Sequence, residues 1–117
     1  MKIALVFLSA VTMTSAALAQ SGGEIGYPKG SLGYDALVEA NYTVAEKQIL
    51  ASSGVASNDP AKLINLGQIY AKTGRSEMAV KVLEQALREE DVELILANGE
   101  TMGSREAARK ALSLIRR

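Results

Sequence analysis

The residues with chemical potential in this chain are a short acidic run, Glu89-Glu90-Asp91, and a hydroxyl, Ser104, ahead of a basic stretch. Paired carboxylates support acid–base hydrolysis when two of them converge on one bond. Neighbouring residues on a helix point about 100° apart, so this run does not converge. Ser104 and the other hydroxyls lack a base, because the chain contains no histidine, and the usual triad route is closed. The absence of cysteine removes thiol chemistry and disulfides. With histidine also missing, the commonest metal ligands are gone, and neither metal nor cofactor is expected. A small envelope hydrolase using Glu89 or Asp91 is the third reading, behind a binding module and a self-associating structural protein.

Charge does not point to nucleic acid. Thirteen basic and thirteen acidic residues cancel, no long basic run occurs, and tryptophan is absent. Arg105, Arg109, Lys110, Arg116 and Arg117 gather near the C-terminus, where they either meet an acidic partner or lipid or simply solubilise a helix face.

The N-terminus reads as a secretory leader. Met1-Lys2 is a positive start, Ile3 to about Ala17 is apolar, and Ala17-Leu18-Ala19 is an A-x-A cleavage signal. The expectation is a signal peptide over 1–19, cut after Ala19, and a periplasmic or secreted mature protein. The apolar stretch is short for a membrane span and contains Thr12, Thr14 and Ser15. A Gly-rich lead-in, 20–30, follows.

The elements that must position any site centre on Pro60 to Asp91. Asn58-Asp59-Pro60 is a helix start, with Asp59 placed to accept the first free amides and Pro60 already at a helical φ. Leu63, Leu66, Gly67, Tyr70 and Ala71 then form one apolar stripe. Gly74 suits a left-handed stop and Ser76 the next N-cap. A second stripe runs through Ala79, Val82, Leu83, Ala86 and Leu87, opposite a polar face on which Glu84 and Arg88 pair one turn apart. Gly67 costs about 1 kcal/mol in a helix interior, so it implies a close approach by the second helix, with Ala79 and Ala86 as the facing small residues.

Leu63, Leu66-Gly67, Tyr70, Gly74, Ala79, Leu83 and Ala86 stand at the spacing of the tetratricopeptide repeat, which this segment resembles. Leu63 and Leu83 replace aromatic landmarks, and Asp91 stands where a proline is usual. A shift of thirty-four places Leu32-Gly33 under Leu66-Gly67, Ala40 under Gly74, Ala45 under Ala79 and Ile49 under Leu83. A degenerate first repeat, about 26–59, is expected from this. Its first helix would span 31–40, Asn41-Tyr42 would turn, and Thr43 would cap a second helix to about Ser53. Glu46 would complete a capping box with Thr43. Repeat two is 60–91 and a partial third unit 92–117. In that unit Val92–Ala97 is extended and pairs with Glu100–Met102 around Asn98-Gly99, or forms a truncated helix instead. Ser104 caps a last helix, Arg105–Arg116.

The resemblance implies an all-α, short right-handed helical solenoid of two helix pairs and a C-terminal capping helix, over 31–117. It implies a non-catalytic scaffold that binds another periplasmic protein or peptide on a concave face, the alternative being a homo-oligomeric envelope protein. That face would carry Ala61, Ile64, Asn65, Gln68 and Lys72. Asn65 stands where some members of the family bind a peptide backbone, and Lys72 would meet a carboxylate.

Overall fold

The computed structural model describes residues 3–6, 27, 30–96 and 98–116. Among them are three strands and five helices. In order they are β1 (Ile3–Val6), α1 (Tyr34–Val38), α2 (Tyr42–Ala51), α3 (Pro60–Lys72), α4 (Ser76–Arg88), β2 (Glu93–Leu96), β3 (Thr101–Gly103) and α5 (Ser104–Ile115). The protein is mostly helical, as expected, but it carries a small sheet of order β1-β2-β3.

Helix α3 is the centre of the molecule. Asp59 Oδ1 accepts from the amides of Ala61 (2.9 Å) and Lys62 (3.3 Å), and Pro60 opens the first turn without needing a partner for its nitrogen. Eleven of its thirteen residues are buried, which is the signature of a core helix and not of one lying on a surface. One side, with Leu66, Ile69 and Tyr70, packs on Ala36, Leu37, Ala45 and Ile49 of the first pair. The other, with Ala61, Leu63 and Ile64, packs on Leu83 and Ala86 of α4, Leu94 and Leu96 of β2, and Ala108 and Leu112 of α5. At Gly67 an added Cβ would lie 2.6 Å from Leu83 Cγ and Cδ2, so the glycine is what lets α4 come this close. Ala79 and Ala86 are fully buried on the facing helix.

The thirty-four-residue echo is present in the backbone. Arg75 N donates to Tyr70 O at 2.8 Å, and Gly74 holds φ 79°. Thirty-four residues earlier, Asn41 N donates to Ala36 O at 2.8 Å and Ala40 holds φ 58°. Both are helix stops of the Schellman kind, but the first places an alanine in the left-handed region, at a cost of about 1–2 kcal/mol. Ala40→Gly is expected to stabilise the protein by up to about 1 kcal/mol, less than the relieved strain because glycine frees the unfolded chain. Urea unfolding with an unchanged m-value would show it, and a loss of stability would contradict the conformational account.

Several local expectations are corrected. The first helix spans 34–38, not 31–40, because Gly33 is left-handed (φ 64°) and no helix can run through it. An added Cβ there would meet Ala45 O at 3.0 Å, so the first pair also closes on a glycine. Asn41, not Thr43, caps α2, its Oδ1 accepting from Val44 N at 3.3 Å. Glu46 is therefore no capping-box partner, and its carboxylate accepts from both terminal nitrogens of Arg75, at 2.6 and 3.0 Å. Ser76 is the first residue of α4, preceded by Arg75 with no side-chain cap. Glu84 pairs with Arg116 of α5 at 2.9 Å and so binds a neighbouring helix, not Arg88 of its own.

In the third unit the choice between hairpin and truncated helix falls to the hairpin. Leu94 pairs with Met102 and Ile95 with Thr101, antiparallel, around a turn in which Gly99 holds φ 87° and Asn98 Oδ1 accepts from Glu100 N. The unexpected strand is β1, which joins the hairpin in parallel on the other edge of β2. The remaining residues of the expected leader, with the cleavage signal at 17–19, lie outside the described residues, as does most of the 20–30 lead-in. Helix α5 begins at Ser104, one residue earlier than expected. Its Oγ accepts from Val92 N (2.9 Å), and Asp91 Oδ1 takes the amide of Arg105 (3.2 Å). No described helix is long and apolar enough to cross a membrane.

Candidate functional site

The five residues expected on an open face of α3 do not share one environment. Ala61, Ile64 and Asn65 are completely buried. Ile64 belongs to the core between α3 and the third unit. Asn65 Nδ2 donates to Leu32 O at 2.9 Å, so the amide expected to read a ligand backbone binds the backbone of the first pair instead. The surface expected there is filled by the chain's own β-hairpin, β1 and α5, which the helical periodicity of residues 60–72 does not reveal.

Toward the C-terminal end of α3 the packing opens. A cavity of about 290 Å³ lies between α3, the start of α4 and the end of α5. Gln68, Ala71 and Lys72 line it from α3, Ser76 from α4, and Ala111, Leu114 and Ile115 from α5. Gln68 is almost wholly buried, whereas Lys72 is exposed. The structure therefore brings Gln68 and Lys72 together and separates them from Ile64 and Asn65. The arrangement is a trough of mixed character, with Gln68, Lys72 and Ser76 as polar members beside Ala71, Leu114 and Ile115, and it suits a small side chain beside a carboxylate. Leu114 and Ile115 were missed as members of it. Ile115 falls on the inner stripe of α5 with Ala108, Ala111 and Leu112, but Leu114 lies off it, and where the stripe ends over α3 was not readable.

The acidic run has structural work. Asp91 Oδ1 accepts from Ser104 Oγ at 3.3 Å as well as from Arg105 N, and Asn58 Nδ2 donates to Glu89 Oε1 at 3.3 Å. The Arg105 guanidinium donates twice to the Glu89 carbonyl, at 3.0 and 2.7 Å. These contacts lock the joint between α4 and α5. Among the described residues no group of three or more acidic side chains is placed to hold a metal ion. In the basic stretch Arg105 and Arg116 are engaged in this way, and Arg109 and Lys110 face solvent. Arg117 lies outside the described residues.

The most developed polar cluster involves Arg75, a residue that sequence reasoning treated only as part of a turn. Its guanidinium grips Glu46 of α2 and lies 4.8 Å from the centre of the Tyr70 ring. The hydrogen bonds from Arg75 hold the Glu46 carboxyl below its ordinary value, while burial is the main reason the Tyr70 phenol is raised. The cluster clamps the first pair to the second. Val44 and Leu50 on α2 are exposed apolar side chains. Six residues apart, they point about 120° from one another, so they do not make one self-association patch.

Residues 63–90 match the family model of the tetratricopeptide repeat. No curated protein and no solved structure matches the chain.

Proposed function

Starting from the tetratricopeptide repeat at residues 63–90, we propose that this protein is an exported, non-catalytic module that binds a partner protein or peptide. Such repeats generally mediate protein–protein contacts. The observation that carries the reading is the trough between α3 and α5, which the exposed Lys72 lines together with Leu114 and Ile115. The ligand that fits is a peptide presenting a carboxylate next to a small side chain. We read the two helix pairs and α5 as a short right-handed solenoid, a reading supported by the recurrence of the helix stop at thirty-four residues. Export to the periplasm is supported by the charged start, apolar run and A-x-A signal of residues 1–19.

Crosslinking in the periplasm, followed by mass identification, tests the site through two surface changes, Lys72→Glu and Leu114→Asp. Reversing the rim charge is expected to weaken capture of a specific partner by about tenfold, the scale of one charge-assisted contact. A partner recovered equally well with both variants would refute the trough as its binding site.

A further inference from the structure

We propose that the outer edge of β2 is a strand-acceptor site, filled in the precursor by Ile3–Val6 and opened to an apolar β-strand of a partner protein when the leader is removed. The inference rests on the leader reading given above for its biological timing, but the site itself is drawn from the sheet.

Strand β2 is the middle strand, and its two edges are used by different parts of the chain. Toward β3, Ser104 N donates to Val92 O and Leu96 N donates to Glu100 O, both at 2.7 Å. Backbone groups alternate sides along a strand, so Glu93 and Ile95 present their N–H and C=O groups to the opposite edge. There β1 pairs in parallel, with Ile3 opposite Glu93, Ala4 opposite Leu94, Leu5 opposite Ile95 and Val6 opposite Leu96. Helix α3 also lies against β1, so the acceptor is a slot between a strand edge and the core helix. The floor is fixed independently of β1, since Leu94 and Leu96 are anchored in the main core beside Leu83, Ala108 and Leu112.

The occupant is the segment that the sequence marks for removal. Cleavage after Ala19 would sever the covalent link that keeps Ile3–Val6 in place, and a four-residue strand has little hold without it. The edge left behind would present unpaired backbone next to apolar surface, the condition that invites strand addition. The chemistry of the present occupant defines the next one. It is an extended, proline-free run of about four apolar residues, β-branched at its ends, entering parallel to β2.

The test uses the full chain with a specific protease sequence inserted between Ala19 and Gln20, and a fluorescent peptide spanning Lys2–Phe7. Anisotropy is expected to rise saturably with the cut chain and to stay flat with the intact chain, whose slot is already full. The same peptide carrying Ala4→Pro is expected to bind about tenfold more weakly or worse, because the ring removes a ladder donor and clashes. If cutting lowers the helical circular dichroism, the peptide should restore it. The proposal is overturned by no binding to the cut chain, by equal binding of the proline peptide, or by a helical signal the peptide does not restore. It is also overturned if light scattering shows the cut chain pairing with a second copy that excludes the peptide. The mass of the chain recovered from the periplasm tests the leader separately; retention of 1–19 there would end the timing and leave the peptide result standing.

Discussion

Gly67→Val is expected to lower stability by about 3 kcal/mol or more, and the melting temperature by more than about 10 °C. A Cβ at this position already falls 2.6 Å from Leu83 Cγ and Cδ2, and a clash at Cγ is not relieved by turning a methyl aside. Leu83 is fully buried, so it has nowhere to retreat without moving α4 from α3. Gly67→Ala is the finer probe. Overpacking costs about 1–3 kcal/mol and improved helix propensity returns about 1 kcal/mol, leaving a net loss of up to about 2 kcal/mol. Leu83→Ala alone should cost about 2–5 kcal/mol through the cavity it leaves. The decisive measurement is the double variant. Its loss should be well below the sum of the two singles, because the new methyl occupies the vacated space. Strict additivity in thermal and urea unfolding would show that the two helices do not meet at this pair.

Asp59→Ala should also be damaging, by about 2–3 kcal/mol. The carboxylate is almost fully buried and holds three groups at once, the amides of Ala61 and Lys62 and the hydroxyl of Tyr27 (2.9 Å to Oδ2). Losing an N-cap costs about 1–2 kcal/mol, and stranding a half-buried hydroxyl adds about 1 kcal/mol more. Asp59→Asn keeps an acceptor for the helix and should cost less. The Tyr27 link also predicts a pH dependence. Burial first, then the neighbouring Asp59 charge and hydrogen bond, push the Tyr27 phenol well above its ordinary value of 10.0. A group with a raised folded value contributes its full stabilisation below the unfolded value and loses it as the pH climbs past that value. Stability should therefore decline above about pH 10 more steeply in the native chain than in Tyr27→Phe. Identical alkaline profiles would remove Tyr27 from the account of how α3 begins.

The central hairpin was legible because its signals are local. Asp59-Pro60 and Gly74 act within one turn, and Gly67 announces the close approach of the next helix, where Leu83 meets it. The first pair was legible through its echo, but its caps were not. Asn41 and Thr43 are both competent, and the left-handed Ala40 settles the choice by turning the chain two residues early. Glu46 was misassigned for a related reason. A capping box is visible in sequence, whereas Arg75, its true partner, lies twenty-nine positions away. The face of α3 was misjudged because a stripe at spacings of three and four shows where one neighbour sits, not how many neighbours there are. The core helix meets the first pair on one flank and the hairpin, β1 and α5 on the other. That β1 would join the sheet was hidden by its resemblance to a leader, since an apolar run answers equally to export and to strand pairing.

The hydrogen bond from Asn65 to Leu32 bears on how such a chain can be recombined. A cassette lifted out at the thirty-four-residue boundary would carry a severed contact, since the Asn65 amide donates to backbone from the unit upstream. Grafted elsewhere, it would need a host carbonyl at the same height or an apolar residue in place of Asn65. The complete repeat is thus not portable by itself, and its smallest transplantable piece includes the preceding turn.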